Sequence, residues 1–229
     1  MKASPPVEKA SVAAFLAASG HPLLPLVIGI TGHRDLRAQD IVPLENAVRT
    51  CLGELKALCP HTPLVLLSPL AEGADRLVAR VALSQGLTLV VPLPLPRAEY
   101  EKDFNHADDA AATEQSLAEF DGLLKRAAHH FELPLVGGSS AQAIANQGAE
   151  RNRQYLQVGA YIVRQSYILL ALWDGDMPQP EPEGGTSQIV RYALNGLPDE
   201  FSPTPNPLDA ADAGPVVHIV TPRARKPPR

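Results

Sequence analysis

The sequence predicts an α/β fold, a Rossmann-like three-layer sandwich built on a mainly parallel sheet, and three observations predict it. Short apolar runs rich in Val, Leu and Ile alternate with longer amphipathic segments. The runs are nearly continuous in apolar residues, and polar turns follow them directly. Such alternation marks βαβ units, and strands covered by helices on both faces need apolar residues at successive positions.

Taken in order, "LPLVIGIT" is the first strand, "VPLENAVRTCLGELKAL" a helix, "PLVLLS" a strand, "GADRLVARVALSQG" a helix and "LTLVVPL" a strand. A Pro-rich acidic loop then leads into an amphipathic helix near Thr113 to His130, where Leu117, Phe120, Leu124 and Ala128 recur at helical spacing. His129 and His130 read as surface residues at the end of that helix, where the dipole favours them. A strand-like run follows over Phe131 to Val136. One long helix is expected from Ala141 to Gln165, ahead of the strand "SYILLALWDG". "TSQIVRYALNG" reads as a helix stopped by Gly196, and "PVVHIVTPR" as the last strand. Residues 1–23 read as an N-terminal extension, 24–223 as one domain and 224–229 as a basic tail.

The 229 residues, 45% of them hydrophobic, suffice for one well-buried core. No apolar run approaches the ~20 residues of a membrane span, and Pro and Glu interrupt the N-terminal stretch where a signal peptide would need clean charged and apolar regions. A cytoplasmic chain with no membrane contact is expected. The net charge of −5 offers no broad basic surface, so duplex DNA is not an expected partner. Cys51 and Cys59 read as buried free thiols. No Cys/His spacing suggests a metal, and no cofactor is expected.

In open α/β sheets ligands sit beyond the carboxyl ends of the strands. The turns there are "TGHRD", "SPLAEGAD", "PLPLPRAEY", "GGSS", "WDGD" and "TPR". Two of these turns, together with "EGGTS" before the last long helix, combine Gly with Ser, Thr or backbone amides at a helix start, an arrangement suited to phosphate or carboxylate. Neither the Walker pattern nor G-x-G-x-x-G is present. Gly32 serves either the strand-to-helix turn or ligand approach, and Asp35 or Asp40 is a candidate cap. His33 and Arg34 exceed what a turn needs. Asp75 reads as a first-turn acid stabilised by the helix dipole. Gly185 reads as the point of close backbone approach, beside the hydroxyls of Thr186 and Ser187. Arg151 and Tyr155, one helical turn apart, either face a common pocket or form a solvated or interface face. Trp173 reads as partly buried at the sheet rim, with purine stacking as the second reading. No assembled nucleophile is visible; Glu72, Asp174 and Asp176 are the candidate acids.

Together "GITGHRDL", "LSPLAEGADRLVARVAL", "RNRQYLQVGAYIVRQSYILLALWDG", "GGTSQIVRYAL" and "VVHIVTPR" resemble the SLOG superfamily of Rossmann-like nucleotide-binding domains, which includes the Lonely Guy enzymes and the DNA-processing protein A family. The resemblance implies a ligand pocket made by Thr31, Gly32, His33 and Arg34, by Ser68, Glu72 and Gly73, by Arg151, Asn152 and Tyr155, by Asp174, and by Gly184, Gly185, Thr186 and Ser187. It implies the binding and sensing of a small nucleotide-derived ligand, bearing phosphate or ADP-ribose-like groups, in bacterial signalling or defence. A homo-oligomer and a fused or neighbouring effector are the implied partners. The alternative is a Lonely Guy-like nucleoside 5′-monophosphate phosphoribohydrolase with Glu72 or Asp174 as its acid. That family carries P-G-G-x-G-T-x-x-E, and Ile189 stands here in the place of its glutamate.

Overall fold

Alternate residues of the apolar runs pack to opposite sides. Leu170 and Leu172 join the cluster containing Ile28, Ile30 and Leu66, while Leu169 packs with Leu67, Val158 and Ile162. That division with period two requires a sheet covered on both faces. The computed structural model describes residues 24–177, 184–202 and 214–224. Among these lie six strands: β1 (Leu26–Gly32), β2 (Leu64–Leu67), β3 (Thr88–Leu93), β4 (His129–Glu132), β5 (Ile168–Trp173) and β6 (Val216–Val220). They form one sheet in the order β4-β3-β2-β1-β5-β6. Every pairing is parallel, so the sheet is parallel throughout.

The helices are α1 (Ile41–Leu58), α2 (Ala74–Ser84), α3 (Arg97–Tyr100), α4 (Ala110–Arg126), α5 (Ala141–Ile144), α6 (Ala149–Gln165) and α7 (Thr186–Asn195). Helices α1, α2 and α4 bury their apolar stripes in the first cluster, through Leu44, Val48 and Leu52, through Leu77, Val78 and Val81, and through Phe120, Leu123 and Leu124. Helices α6 and α7 cover the other face, where Val158, Ile162 and Ala193 meet Leu67 and Leu169. The result is a Rossmann-like helix–sheet–helix sandwich. The chain moves outward from β1 through β2 and β3 to β4, then returns to the far side of β1 for β5. Connections therefore diverge between β1 and β5, opening a crevice at their carboxyl ends.

Several boundaries differ from the sequence expectation. The helix expected to reach His130 ends at Arg126, because Ala127 turns to extended backbone and the Ala128 N–H bonds Leu89 O at 2.9 Å. His129 and His130 therefore belong to edge strand β4, paired with Val90 and Val91, and are not helix-end residues. That strand ends at Glu132, short of the expected Val136. The single helix expected over Ala141–Gln165 is two: α5, capped by Ser140 Oγ accepting the Ala143 N–H at 3.2 Å, and α6, which restarts after Gly148. Gly196 does end α7, at φ 91°. Asp40 occupies the cap position of α1 but makes no capping bond; it pairs with Arg37 at 2.5 Å instead. Cys51 and Cys59 are free and half-buried rather than buried, and burial pushes the Cys51 thiol up. The N-terminal extension, Glu183 and all of the basic tail after Ala224 lie outside the described residues.

Candidate functional site

The crevice between β1 and β5 holds a cavity of about 450 Å³, within the ~300–1,000 Å³ usual for small-molecule sites. Its walls come from the turns after β1, β2 and β5, the sheet-facing side of α6 and the start of α7.

The first turn is anchored by backbone. The His33 N–H bonds Leu172 O at 2.9 Å, continuing the β1–β5 ladder, and the Ala74 N–H bonds His33 O at 3.0 Å, tying the start of α2 to the same turn. Gly32 is explained by packing: a Cβ there would lie 2.4 Å from Ala74 Cβ and 2.7 Å from Leu172 O. Gly73 carries a stronger requirement, since its φ is +77° and a Cβ would meet Arg34 O at 2.3 Å. The loop after β6 closes over this turn. Arg223 Nε reaches Asp35 Oδ1 at 3.1 Å, and the Ala224 N–H bonds Asp35 O at 2.8 Å.

His33 is 7% exposed. Its Nε2 lies 3.0 Å from the Asp174 N–H and 3.1 Å from Asp174 Oδ1. Burial lowers the imidazole below its ordinary value, with Asp174 only partly opposing that shift. Burial pushes Asp174 up, but the Asp176 N–H and His33 outweigh it and hold the carboxyl below the usual range. Asp174 is an ionised wall of the cavity at neutral pH.

Arg34 is exposed at the cavity, and its guanidinium carbon sits 5.3 Å from the Tyr155 ring centroid. It makes no ion pair or side-chain hydrogen bond among the described residues. Opposite it, α7 begins with Gly185, which is extended at φ −80° and offers no side-chain cap, leaving first-turn N–H groups open. The close approach falls one residue earlier than expected. Gly184, at φ +79°, would bring a Cβ within 3.3 Å of Asn152 O and Tyr155 Cβ. Gly184, Gly185, Thr186 and Ser187 all line the cavity.

Of the residues expected in the pocket, Thr31, Gly32, His33, Arg34, Tyr155, Asp174 and the Gly184–Ser187 run line it. Five others do not line it: Gly73 packs its backbone against the first turn, and four serve different ends. Arg151 is 1% exposed and is occupied by Ile144 O, Glu99 O and Asp103 Oδ1, at 2.6, 2.9 and 2.7 Å. Glu72 faces His106 Nε2 at 3.0 Å and accepts from Ser116 Oγ. Ser68 is fully buried and caps its own loop by accepting the Leu70 N–H at 3.2 Å. Asn152 contributes its backbone beneath Gly184. Trp173 is 5% exposed, tilted 5.5 Å from the His218 ring, and does not line the cavity.

Tyr100, not singled out from sequence, lines the cavity, as do Asp176, a candidate acid, and Asp75, expected only as a first-turn acid. Asp75 is 5% exposed, and burial raises its carboxyl to about 7, against the pull of the Ala71 N–H, Arg34 and Arg76. The GAD triplet was the available signal. The preceding loop reverses through Leu70 at φ 58°, a conformation costing a non-glycine residue roughly 1–2 kcal/mol.

No protein-family model matches the chain, and no curated protein matches it. Among solved structures, the X-ray structure of DNA processing protein A (DprA) from Streptococcus pneumoniae is similar at 14% identity and a TM-score of 0.42. The alignment covers 78% of this chain and 54% of that one. The sheet order defines the class reached here, a parallel Rossmann-like α/β fold with a switch-point cavity. Among the described residues, no helix is long and apolar enough to cross a membrane.

Proposed function

We propose that this chain binds and senses a small nucleotide-derived ligand carrying phosphate, as a SLOG-type module in bacterial signalling or defence. The observation that carries the reading is the pairing, across one switch-point cavity, of the uncommitted Arg34 guanidinium with the uncapped start of α7. Anions are stabilised at such helix starts by open N–H groups and the positive dipole end, and a guanidinium adds paired donors in a plane. Tyr155, under Arg34, supplies an aromatic face at the same wall. A homo-oligomer and an effector, fused or encoded nearby, belong to this proposal as the means of passing on the signal.

Hydrolysis of the ligand has weaker support. Ile189, in the place of the Lonely Guy glutamate, packs its Cδ1 where a Cβ on Gly159 would stand, and Glu72 is turned to His106. Asp174 is the remaining acid of that pair on the cavity wall.

The test is a thermal-shift panel of nucleoside monophosphates, ADP-ribose, NAD and cyclic dinucleotides. A ligand at 100 times its Kd adds about 2.7 kcal/mol to stability, so at least one member is expected to raise Tm by several degrees. Arg34→Ala is expected to remove that rise. A flat response to every member would defeat the reading.

A further inference from the structure

Asp75 gives the cavity a second kind of polar wall. Its Oδ2 accepts the Ala71 N–H at 3.2 Å, and its other oxygen has no hydrogen-bond partner among the described residues. The loop that creates this arrangement is held on purpose-built contacts: Ser68 Oγ receives the Leu70 N–H, and Arg76 Nε donates to Leu70 O at 3.1 Å. Neighbouring cations do not complete the carboxyl. Arg76 donates to Leu70 O, Ser116 O and Oγ, and Glu119, and neither it nor the open Arg34 guanidinium makes a hydrogen bond to Asp75 among the described residues. Asp75 lines the cavity, so its open oxygen is placed to take a donor from outside the protein, either water or a group of a bound ligand.

The chemistry of that donor is constrained. A phosphate is repelled by an ionised carboxyl, so the ligand's anionic end belongs at Arg34 and α7. Burial brings Asp75 to about 7, so both its forms are populated near neutral pH. A hydroxyl suits both, because it donates to a carboxylate and accepts from a carboxylic acid, whereas an ammonium only donates. The cavity volume of about 450 Å³ fits a mononucleotide-sized ligand in the lower part of the range for such sites.

We propose that Asp75 reads the sugar of the ligand, its open oxygen bonding the vicinal ribose hydroxyls of a mononucleotide whose phosphate lies at Arg34 and the start of α7. This rests on the nucleotide reading above. It makes Asp75 a specificity-determining residue that selects ribose over a sugar without hydroxyls.

Isothermal titration of the full chain with AMP, 2′,3′-dideoxy-AMP and ribose 5-phosphate tests it. The unaltered chain is expected to bind AMP about tenfold more tightly than the dideoxy analogue, the value of one hydrogen bond to a charged group. Asp75→Ala is expected to lose that preference while keeping its affinity for the dideoxy analogue. Asp75→Asn retains an acceptor for the Ala71 N–H and so guards the fold; its preference is expected to fall about threefold. Equal binding of both nucleotides by the unaltered chain, or a preference that survives in both variants, overturns the role of Asp75 and leaves the nucleotide reading standing. Failure of all three probes to bind the unaltered chain overturns the mononucleotide assignment itself.

Discussion

Arg34 and Arg151 both stack against Tyr155, their guanidinium carbons 5.3 and 5.9 Å from its ring centroid, yet they belong to regions organised on opposite terms. Around Arg151 the terminal donors are bonded, while its Nε and Asp103 Oδ2 lie buried without a partner among the described residues. Its terminal nitrogens bond two backbone carbonyls and Asp103, and both members of that ion pair have side chains at or below 5% exposure. Arg76 bridges α2 and α4 in a similar way through Nε and one terminal nitrogen, the other being buried without a partner among the described residues. Around Arg34 polar groups are left open: the guanidinium itself, the α7 start and one oxygen of Asp75. Removing a residue from the first region should damage the fold, and removing one from the second should damage recognition.

The largest expected effect is Arg151→Ala. It leaves Asp103 buried without its cation, and breaking a buried pair from one side costs about 3–5 kcal/mol. Urea unfolding should show a lowered midpoint. An unchanged midpoint would place Arg151 among the open groups, contrary to its contacts.

Next comes Asp75→Asn, read through pH. The folded carboxyl titrates at about 7, against an ordinary value of 3.8. Between those values the unfolded chain has released a proton that the folded chain keeps, so wild-type stability falls as pH rises from about 4 to about 7, then levels off. Three pKa units correspond to at most about 4 kcal/mol. Asp75→Asn should lose this component and be more stable than wild type at pH 8, and unfolding at pH 4, 6 and 8 measures it. A parallel pair of profiles would show that Asp75 is solvated.

The smallest effect on stability should come from Arg34→Ala, within about 0.5 kcal/mol, as for an exposed residue that makes no hydrogen bond or ion pair among the described residues. Unfolding in the absence of nucleotide measures this. A loss comparable to that of Arg151→Ala would erase the contrast between the two regions.

Much of the fold was legible in the sequence because its signals are local. The apolar runs became β1, β2, β3, β5 and β6, and Gly196 marked the end of α7 within a residue. The one strand with a polar, exposed pattern, β4, was misread in part as helix because its residues pair only at the sheet edge and carry no buried-strand pattern. The candidate site was legible as a set of turns, since strand ends and helix starts are chain-local features, and the turns after β1 and β5 do meet.

Which side chains those turns present was not legible. Arg34 and Arg151 are the same residue type in comparably polar contexts, and only a carboxylate 48 positions away, Asp103, separates a buried strut from an open cation. Glu72 was drawn from the cavity by Ser116, 44 positions on, and His106. Asp75 sits in a helix first turn, where an acid needs no further reason; its burial and open oxygen follow from the reversed loop at Leu70 and from Arg76 bonding across to α4. Periodicity, caps and turn residues act over a few positions, so the sequence alone determined the layers, the parallel sheet and where its carboxyl ends lie. Burial and pairing act through space between distant segments, so only the tertiary structure decided which charges hold the fold together and which remain open at the cavity.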